Sequence, residues 1–226
     1  MPWPDPLGGC EIEPSLYAAD FLCLREGLAA LFAAGARTFH FDVGDGHFVP
    51  PVTIGPVVLE SIAPFVHERG GVLDCHLMVE RPERHLEAIS AAGGDSVTVH
   101  LETGGDLPGL VGRARELGLG VGLAFNPESA PEAAAEAAPP FDLVLCMSIH
   151  PGYSGRPFMT EALGRVRRLR ELLPGQPIQV DGGVGEANVG PLRDAGATLL
   201  VAGTSVYGRP DPAAAYRALA AAAARA

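Results

Sequence analysis

The sequence predicts an α/β fold in which eight parallel strands alternate with helices and close into a barrel. Short apolar runs of strand length alternate along the chain with longer stretches of helical periodicity, which is the pattern of repeated strand–helix units. Glycines occur between the end of each predicted helix and the start of the next strand. Helices often end at this position with a residue of left-handed backbone conformation, which glycine adopts readily. The chain has 226 residues, the length of one such barrel, so we expect a single domain over residues 1–226.

The predicted strands are short apolar segments bounded by glycine or polar residues. They are Cys10–Leu16, Thr38–Val43, Val72–Met78, Ser96–Leu101, Gly120–Phe125, Leu143–Ile149, Pro177–Val180 and Thr198–Ala202. The predicted helices are amphipathic or rich in alanine, the best helix former. They include Phe21–Ala34, Arg81–Ala92, Leu110–Leu117, Pro131–Pro140, Thr160–Leu173 and Pro212–Ala224. The glycines expected to end helices are Gly35, Gly93, Gly94, Gly118, Gly175 and Gly196.

An open, doubly wound sheet is the structural alternative to a closed barrel. Its dinucleotide-binding version carries a G-x-G-x-x-G turn after the first strand, and no such turn follows Cys10–Leu16. The barrel is therefore the favoured arrangement.

Composition narrows the classes of partner. The formal net charge of −11 argues against nucleic acid and anionic membrane surfaces, both of which select for basic proteins. No apolar run approaches the roughly 18–20 residues that a membrane-spanning helix needs. The N-terminal residues show neither a basic leader nor an apolar signal segment, so the cytoplasm is the expected location. The four cysteines form no CxxC pair and are expected to be reduced thiols.

All 16 basic residues are arginine, because the chain contains no lysine. Without lysine, Schiff-base chemistry and a lysine general base are excluded. A phosphate loop of the Walker type also needs its lysine and is excluded for the same reason.

Four ionisable residues fall at the carboxyl ends of predicted strands, where a barrel gathers its catalytic groups. They are His40, Asp42, His76 and Asp181. His40 and Asp42 are two residues apart in one strand, so both side chains lie on the same face. Two imidazoles and two carboxylates suit zinc, iron, manganese or cobalt, and the pattern does not choose among them. Taken singly, each residue also fits a core histidine or a turn-forming aspartate. His47 and His100 are interpreted as hydrogen-bonding support rather than as ligands.

Glycine clusters follow the sixth, seventh and eighth predicted strands. They are Gly152–Tyr153–Ser154–Gly155, Gly182–Gly183 and Gly203–Thr204–Ser205. In barrels of this kind the loops after the last strands commonly bind phosphate through backbone N–H groups, without a cationic side chain. The alternative is that these glycines only permit tight turns between strand and helix.

Seven short sequence motifs follow one another between about residue 10 and about residue 210. They are PSLYAADF (14–21), HFDVGDGHFVP (40–50), DCHLMVERPERHL (74–86), VTVHLE (97–102), MSIHPGYSGRPF (147–158), VDGGV (180–184) and VAGTSVYG (201–208). Together they resemble the ribulose-phosphate 3-epimerase family.

The resemblance implies a (β/α)₈ TIM barrel of the ribulose-phosphate-binding type with one divalent metal held by His40, Asp42, His76 and Asp181. It implies that Asp42 and Asp181 are catalytic: one removes the C3 proton of a ketose phosphate and the other returns a proton from the opposite face, through a metal-stabilised enediolate. The substrate-binding residues it implies are Ser15, His76, Met78, Met147, Gly152, Ser154, Gly155, Arg156, Gly182, Gly183, Gly203 and Thr204. By analogy with the family, the chain is also expected to form a homo-oligomer.

The chain departs from the family pattern at several positions around the expected site. Gly44 stands where the family usually has methionine, and this change is expected to make room for a different or longer sugar. His150 and Arg156 replace other polar residues, and Arg156 is expected beside the phosphate. Gly185 and Glu186 stand where the family has an asparagine after VDGGV.

The function expected from the resemblance is epimerisation of D-ribulose 5-phosphate to D-xylulose 5-phosphate. Three alternatives stay open: an epimerase for allulose 6-phosphate or a tetrulose phosphate, a non-catalytic barrel that binds sugar phosphates, and a metal-dependent aldolase or decarboxylase. Many enzymes of the last kind need a lysine, which this chain lacks.

Overall fold

The computed structural model describes residues 9–224. Eight parallel strands form one sheet in the order β1-β8-β7-β6-β5-β4-β3-β2. The strands are β1 (Glu11–Pro14), β2 (Thr38–Gly44), β3 (Val72–Met78), β4 (Ser96–His100), β5 (Gly120–Phe125), β6 (Leu143–Met147), β7 (Ile178–Asp181) and β8 (Leu199–Ala202). A parallel bridge between Ser15 and His40 joins the remaining two edges, β1 and β2, so the sheet closes into the expected (β/α)₈ barrel.

Helices follow the strands in the order of a TIM barrel. They are α1 (Leu24–Ala34), α2 (Pro56–His67), α3 (Leu86–Ala91), α4 (Leu107–Glu116), α5 (Pro131–Ala137), α6 (Ala162–Leu172), α7 (Glu186–Ala195), α8 (Thr204–Tyr207) and α9 (Pro212–Ala224). The short α8 follows β8, where barrels that bind phosphate often carry an extra helix. Among the described residues, no helix is long and apolar enough to cross a membrane.

The structure confirms the bounds of β3, β5 and α9 and shifts most other ends by one to three residues. The predicted helix Phe21–Ala34 begins instead with a separate 3-10 turn over Phe21–Cys23. A similar 3-10 turn over Pro82–Arg84 precedes α3. Three helices were given no bounds in the sequence analysis: α2, α7 and the short α8. α2 and α7 contain Pro64 and Pro191, which obscure helical periodicity because proline normally interrupts a helix.

The helix-ending glycines are mostly confirmed by their backbone angles. Gly35 and Gly196 both have φ of 107° and directly follow α1 and α7. Gly93 and Gly118 also have positive φ, whereas Gly94 and Gly175 do not. α6 instead ends at Leu172, and its C-cap residue Leu173 has a negative φ of −127°, so Gly175 is a turn residue after the helix has already ended.

Strand alternation sorts the buried residues into two layers. Phe39, Phe41 and Cys75 belong to the large apolar cluster between strands and helices. A smaller apolar cluster comes mainly from β5, β6 and β8 and includes Leu145 and Met147. The residues alternating with Phe39, Phe41 and Cys75 are polar and point the other way, into the barrel. The inward-facing part of β1–β4 and β7 is therefore rich in buried charge, which must be paired to offset its desolvation.

Candidate active site

Four side chains from three strands meet at the carboxyl end of the barrel. They are His40 and Asp42 of β2, His76 of β3 and Asp181 of β7, and each offers a nitrogen or oxygen within 4.8 Å of the others. Asp42 Oδ1 lies 3.4 Å from His40 Nε2 and 3.3 Å from His76 Nδ1. Asp181 Oδ2 lies 3.8 Å from His76 Nδ1. The structure thus brings together the four residues that the sequence analysis grouped.

The cluster fits a divalent cation. His40 Nε2 is buried and has no hydrogen-bond partner among the described residues, although it faces Asp42. The other ring nitrogen, Nδ1, lies 3.2 Å from Asp74 Oδ2, which holds the ring in place. A ligating imidazole has this arrangement, with one nitrogen toward the ion and the other on a carboxylate. Two imidazoles and two carboxylates are a donor set that binds first-row divalent metals.

The two aspartates of the cluster differ in acidity. Burial by itself would raise the pKa of Asp42, but the neighbouring His40 and His76 outweigh it and hold that pKa below its usual range. Burial, together with the negative charge of Asp42, raises the pKa of Asp181 to about 7. One carboxylate is therefore held ionised while the other readily carries a proton, which is the contrast expected of an acid and base pair.

A second polar layer lies directly beneath the cluster and was missed by the sequence analysis. Gln179 donates to both Glu13 and Asp74, with 2.8 Å to Asp74 Oδ2. Ser96 Oγ donates to Asp74 Oδ1 at 2.6 Å. The alternation of side chains along a strand could have predicted this layer. Asp74 and Gln179 precede His76 and Asp181 by two residues and therefore lie on the same face. Burial, reinforced by Asp74, raises the pKa of Glu13 to about 8.

Above the cluster, the barrel mouth holds a cleft with an empty volume of about 490 Å³. Most of the predicted substrate-binding residues line it, and the complete lining is Ser15, Tyr17, Asp42, Met78, Met147, Ile149, Gly152, Tyr153, Ser154, Gly155, Asp181, Gly182, Gly183, Val184, Val201, Gly203 and Thr204. His76 is fully buried below the cleft floor. Tyr153, from the predicted glycine cluster after the sixth strand, also lines the cleft. Tyr17, Ile149, Val184 and Val201 complete the wall and were not singled out from the sequence.

The turns on one side of the cleft leave no room for a side chain at two of their glycines. Gly183 has φ of 64°, and a Cβ at this position would lie 2.7 Å from Phe158 N. A Cβ on Gly152, whose φ is 89°, would meet Val49 at 2.7 Å. Both positions combine a left-handed backbone with a close neighbour, so only glycine fits them without strain. Asn188 supports the same turn, since its amide donates to Gly183 O and accepts from Gly185 N.

The structure corrects the expected role of Gly44. A Cβ built on Gly44 would meet Pro51 O at 2.9 Å and Val49 Cγ2 at 3.0 Å. The space beside Gly44 is therefore filled by the loop between β2 and α2, and the missing side chain does not enlarge the cleft. The close return of this loop is stabilised by Thr53, whose hydroxyl accepts from Gly44 N at 2.6 Å and donates to Asp42 O at 2.7 Å.

His150 and Arg156 both lie at the rim rather than in the cleft. His150 Nε2 is 2.6 Å from Glu128 Oε1, and both side chains are exposed. The Arg156 guanidinium stacks over the Tyr153 ring at 4.8 Å from its centroid and borders an adjoining groove with Pro157 and Met159. A direct contact between Arg156 and phosphate stays a prediction. Glu186 begins α7, with Gly185 as its N-cap residue.

The fold and the site together are those of a barrel enzyme, with the candidate catalytic groups at the carboxyl ends of parallel strands. The family model described as the ribulose-phosphate 3 epimerase family matches residues 11–207. The chain therefore belongs to the ribulose-phosphate 3-epimerase family, whose members are isomerases acting on carbohydrates.

Curated relatives agree with this assignment over nearly their whole length. A ribulose-phosphate 3-epimerase of Mycobacterium tuberculosis is 38% identical, with 94% of this chain and 92% of that protein covered. The one from Synechocystis sp. is 37% identical, with 88% of each covered. The one from Bacillus subtilis is 35% identical, with 89% of this chain and 94% of that protein covered.

Solved structures support the fold at lower identity. A structure of KGPDC from Streptococcus mutans superposes with a TM-score of 0.72 at 12% identity, covering 94% of this chain and 96% of that one. A 3-hexulose-6-phosphate synthase superposes with a TM-score of 0.71 at 21% identity, covering 94% of this chain and 99% of that one. At these identities the likeness concerns the barrel fold alone.

Proposed function

We propose that this protein epimerises D-ribulose 5-phosphate at C3 to D-xylulose 5-phosphate. The observation that carries the proposal is the convergence of Asp42 from β2 and Asp181 from β7 on one cleft, with the imidazoles of His40 and His76 buried beside them. The curated relatives carry the name of this activity, which supports ribulose 5-phosphate over other ketose phosphates.

Inversion at carbon needs a proton acceptor on one face and a proton donor on the other. Asp42 and Asp181 lie on strands β2 and β7, which are separated by β1 and β8 around the barrel. Their unequal pKa values allow one to accept the C3 proton while the other gives a proton to the opposite face. In the reverse direction the two carboxyl groups exchange these roles.

His40, Asp42, His76 and Asp181 would hold one divalent cation, with zinc, iron, manganese and cobalt all compatible with the donor set. Such an ion would supply stabilisation of the negative charge that develops on oxygen next to C3 when the proton leaves. The protein positions its ligands through contacts behind the rings, Asp74 behind His40 and His100 behind His76.

Ser154, Gly155, Gly183, Gly203 and Thr204 form the proposed phosphate pocket on one wall of the cleft. A Cβ on Gly203 would lie 3.5 Å from Ser154 Oγ, so this hydroxyl and the backbone of Gly203 border the same small space. Backbone N–H groups and hydroxyls suffice to bind a phosphate dianion in such a turn. This explains how an acidic chain without lysine binds an anionic substrate.

Met78 and Met147 supply the apolar part of the cleft beside the two aspartates, and both are almost completely buried. An apolar wall excludes water from the reacting carbon and strengthens the local electrostatic interactions. The intermediate is thereby protected from protonation by solvent.

The experiment is to incubate the purified protein with a divalent metal and ribulose 5-phosphate in deuterium oxide. Deuterium should enter at C3 and xylulose 5-phosphate should accumulate, and chelation of the metal should stop both. Allulose 6-phosphate and a tetrulose phosphate run in parallel test the alternative substrates, while a product with fewer carbons would identify an aldolase or decarboxylase. Absence of exchange with every substrate would favour a sugar-phosphate-binding barrel without catalysis.

A further inference from the structure

A chain of hydrogen-bonding side chains leads from His76 away from the cleft toward the surface. His76 Nε2 and His100 Nε2 are 2.8 Å apart, and the two ring planes are inclined by 21° with their centroids 5.0 Å apart. His100 Nδ1 in turn lies 3.2 Å from Glu102 Oε2. Both histidines are completely buried, while the Glu102 side chain is 23% exposed. We call these three residues the His76–His100–Glu102 relay.

The two histidines of the cation site present different nitrogens to it. His40 faces Asp42 with Nε2, whereas His76 faces Asp42 with Nδ1. A neutral imidazole carries one proton, so a nitrogen that binds a cation must leave that proton on the other nitrogen. For His76 the proton must therefore reside on Nε2, the atom that faces His100.

Only one proton fits between the two Nε2 atoms of His76 and His100. If it belongs to His76, His100 accepts at Nε2 and carries its own proton on Nδ1. If it belongs to His100, His76 accepts at Nε2 and its proton moves to Nδ1, where it blocks cation binding. The partner of His100 Nδ1 decides between these two arrangements.

That partner is Glu102, and its orientation is set by the loop after β5. Glu102 Oε1 accepts hydrogen bonds from Asn126 N at 2.7 Å and from Ser129 Oγ. Oε2 is left to face His100. Burial alone would raise the pKa of Glu102, but His100, Ser129 and Asn126 outweigh it and lower that pKa to about 2. The ionised carboxylate only accepts hydrogen bonds, so His100 Nδ1 must donate to it.

We propose that Glu102 and His100 are positioning residues that keep the Nδ1 lone pair of His76 directed into the cation site. The proposal rests on the function proposed above, because it assigns the relay to the cation of that site. The proton order runs from His76 Nε2–H to His100 Nε2, and from His100 Nδ1–H to Glu102 Oε2. Outer partners of this kind tune metal affinity about 10–100-fold.

The substitution Glu102→Gln reverses this order while hardly changing the shape of the side chain. The Gln amide oxygen stays with the Asn126 N–H donor, so its NH₂ group faces His100 Nδ1. His100 must then accept at Nδ1 and donate from Nε2, which moves the His76 proton to Nδ1. Glu102→Ala leaves space for water, which can either donate or accept and therefore imposes no order.

The test is to titrate metal-free protein with Co²⁺ alone and to measure the dissociation constant by calorimetry. We expect Glu102→Gln to weaken Co²⁺ binding by about 10–100-fold. Glu102→Ala should have a smaller effect, and His67→Gln, which alters an exposed histidine paired with Asp95 away from the cleft, should have none. A merely structural role of Glu102 predicts the opposite ranking, because Gln fills the site better than Ala.

Nitrogen-15 NMR of histidine-labelled, metal-free protein gives a readout that needs neither metal nor turnover. The His76 signals, assigned with a His76→Asn variant, should show Nε2 protonated in the wild type and unprotonated in Glu102→Gln. Nε2 is the diagnostic atom, because in the metal-free protein Nδ1 faces Asp42 Oδ1 at 3.3 Å and can donate to it in either protein. A wild-type His76 whose Nε2 carries no proton, or Co²⁺ affinity unchanged by Glu102→Gln, would overturn the relay. If the wild type fails to bind Co²⁺ but shows the expected tautomers, the cation site of the proposed function fails and the relay order stands.

Discussion

Ser15 Oγ donates a hydrogen bond to Asp42 Oδ2 at 2.6 Å, across the seam where β1 and β2 close the barrel. The backbone bridge between Ser15 and His40 sets this distance, so barrel closure also orients the carboxylate. The other oxygen of Asp42, Oδ1, lies 3.4 Å from His40 Nε2 and 3.3 Å from His76 Nδ1, the two nitrogens that would hold the cation. The Asp42 carboxylate, which is the acid/base group in the proposed function, is therefore oriented by the protein itself.

Removal of the Ser15 hydroxyl should slow the proposed epimerisation and leave the four residues of the proposed cation site in place. In Ser15→Ala, Asp42 loses a charge-assisted hydrogen bond, so its pKa should rise and its orientation should loosen. We expect kcat to fall about tenfold, equivalent to about 1.4 kcal/mol, and the acidic limb of the pH–rate profile to move to higher pH. Ser90→Ala, which removes a hydroxyl bonded to Leu117 O far from the cleft, is the matched control. Equal kinetics in the two variants would remove Ser15 from the mechanism.

Each aspartate should be indispensable for inversion. Asp42→Asn and Asp181→Asn keep the side-chain size but remove the group that exchanges the C3 proton, so kcat should fall at least about a thousandfold. Measurement of C3 deuterium incorporation alongside epimer formation separates loss of proton removal from loss of proton return. Turnover retained within tenfold by either variant would contradict the two-carboxylate mechanism. Circular dichroism spectra of the variants check that the barrel is intact.

Glu13 should make the metal-free protein less stable as pH rises. Its pKa is about 8 in the folded state, compared with 4.5 for an ordinary glutamate. Between those values the folded state holds a proton that the unfolded state has lost, so the free energy of unfolding falls with rising pH and levels off above the folded pKa. The loss approaches about 1.4 kcal/mol for each pH unit of this window.

Glu13→Gln should remove this contribution, since Gln stays neutral throughout. In urea unfolding with a chelator present, the variant should gain stability over the wild type at pH 8 and lose most of that gain at pH 5. Glu60→Gln, on the exposed face of α2, should show no such difference between the two pH values. A Glu13→Gln curve parallel to the wild type across the range would show that Glu13 is ionised in the folded protein.

Gly183 should tolerate no side chain. In Gly183→Ala the added Cβ faces Phe158 N at 2.7 Å and Arg156 O at 2.9 Å, on a backbone with φ of 64°. We expect a loss of more than about 1 kcal/mol in the free energy of unfolding and a raised KM, because the turn beside the proposed phosphate pocket must shift. Gly164→Ala is the control: Gly164 is exposed in α6 with open space at its Cβ, and alanine should stabilise the helix by about 0.5–1 kcal/mol. Similar KM values for both variants would exclude the Gly183 turn from substrate binding.

Much of the barrel was predictable from local patterns. β5 is a continuous apolar run, and in β3 apolar residues alternate with Asp74 and His76; the structure confirms the bounds of both strands. The bounds of α2 and α7 were not predicted because Pro64 and Pro191 interrupt the helical pattern. Each helix nevertheless packs a buried face against the sheet. The 3-10 turns before α1 and α3 were also missed, because they continue the apolar and charged pattern of the helices that follow.

For the site, the strand positions of His40, Asp42, His76 and Asp181 were enough to predict that the four side chains meet, because parallel strands carry their carboxyl ends to one edge of the barrel. Glu13, Asp74 and Gln179 were overlooked because they lie one layer below the strand ends, and their pairing depends on how β1, β3 and β7 are placed around the barrel. The expectation that Gly44 enlarges the cleft was wrong because the loop to α2 folds back over Gly44 and fills the space that a side chain would occupy. This fold of the loop is not visible in the sequence.

Local sequence alone therefore defines the order of strands and helices, the groups at the strand ends and the family, since these follow from periodicity and short motifs. Only the folded barrel decides which nitrogen of each histidine faces the cleft, which aspartate is held ionised, and where Arg156 and His150 lie. These properties depend on distances and burial between residues remote in the chain. Electrostatic interactions and hydrogen bonds at that range are set by three-dimensional packing.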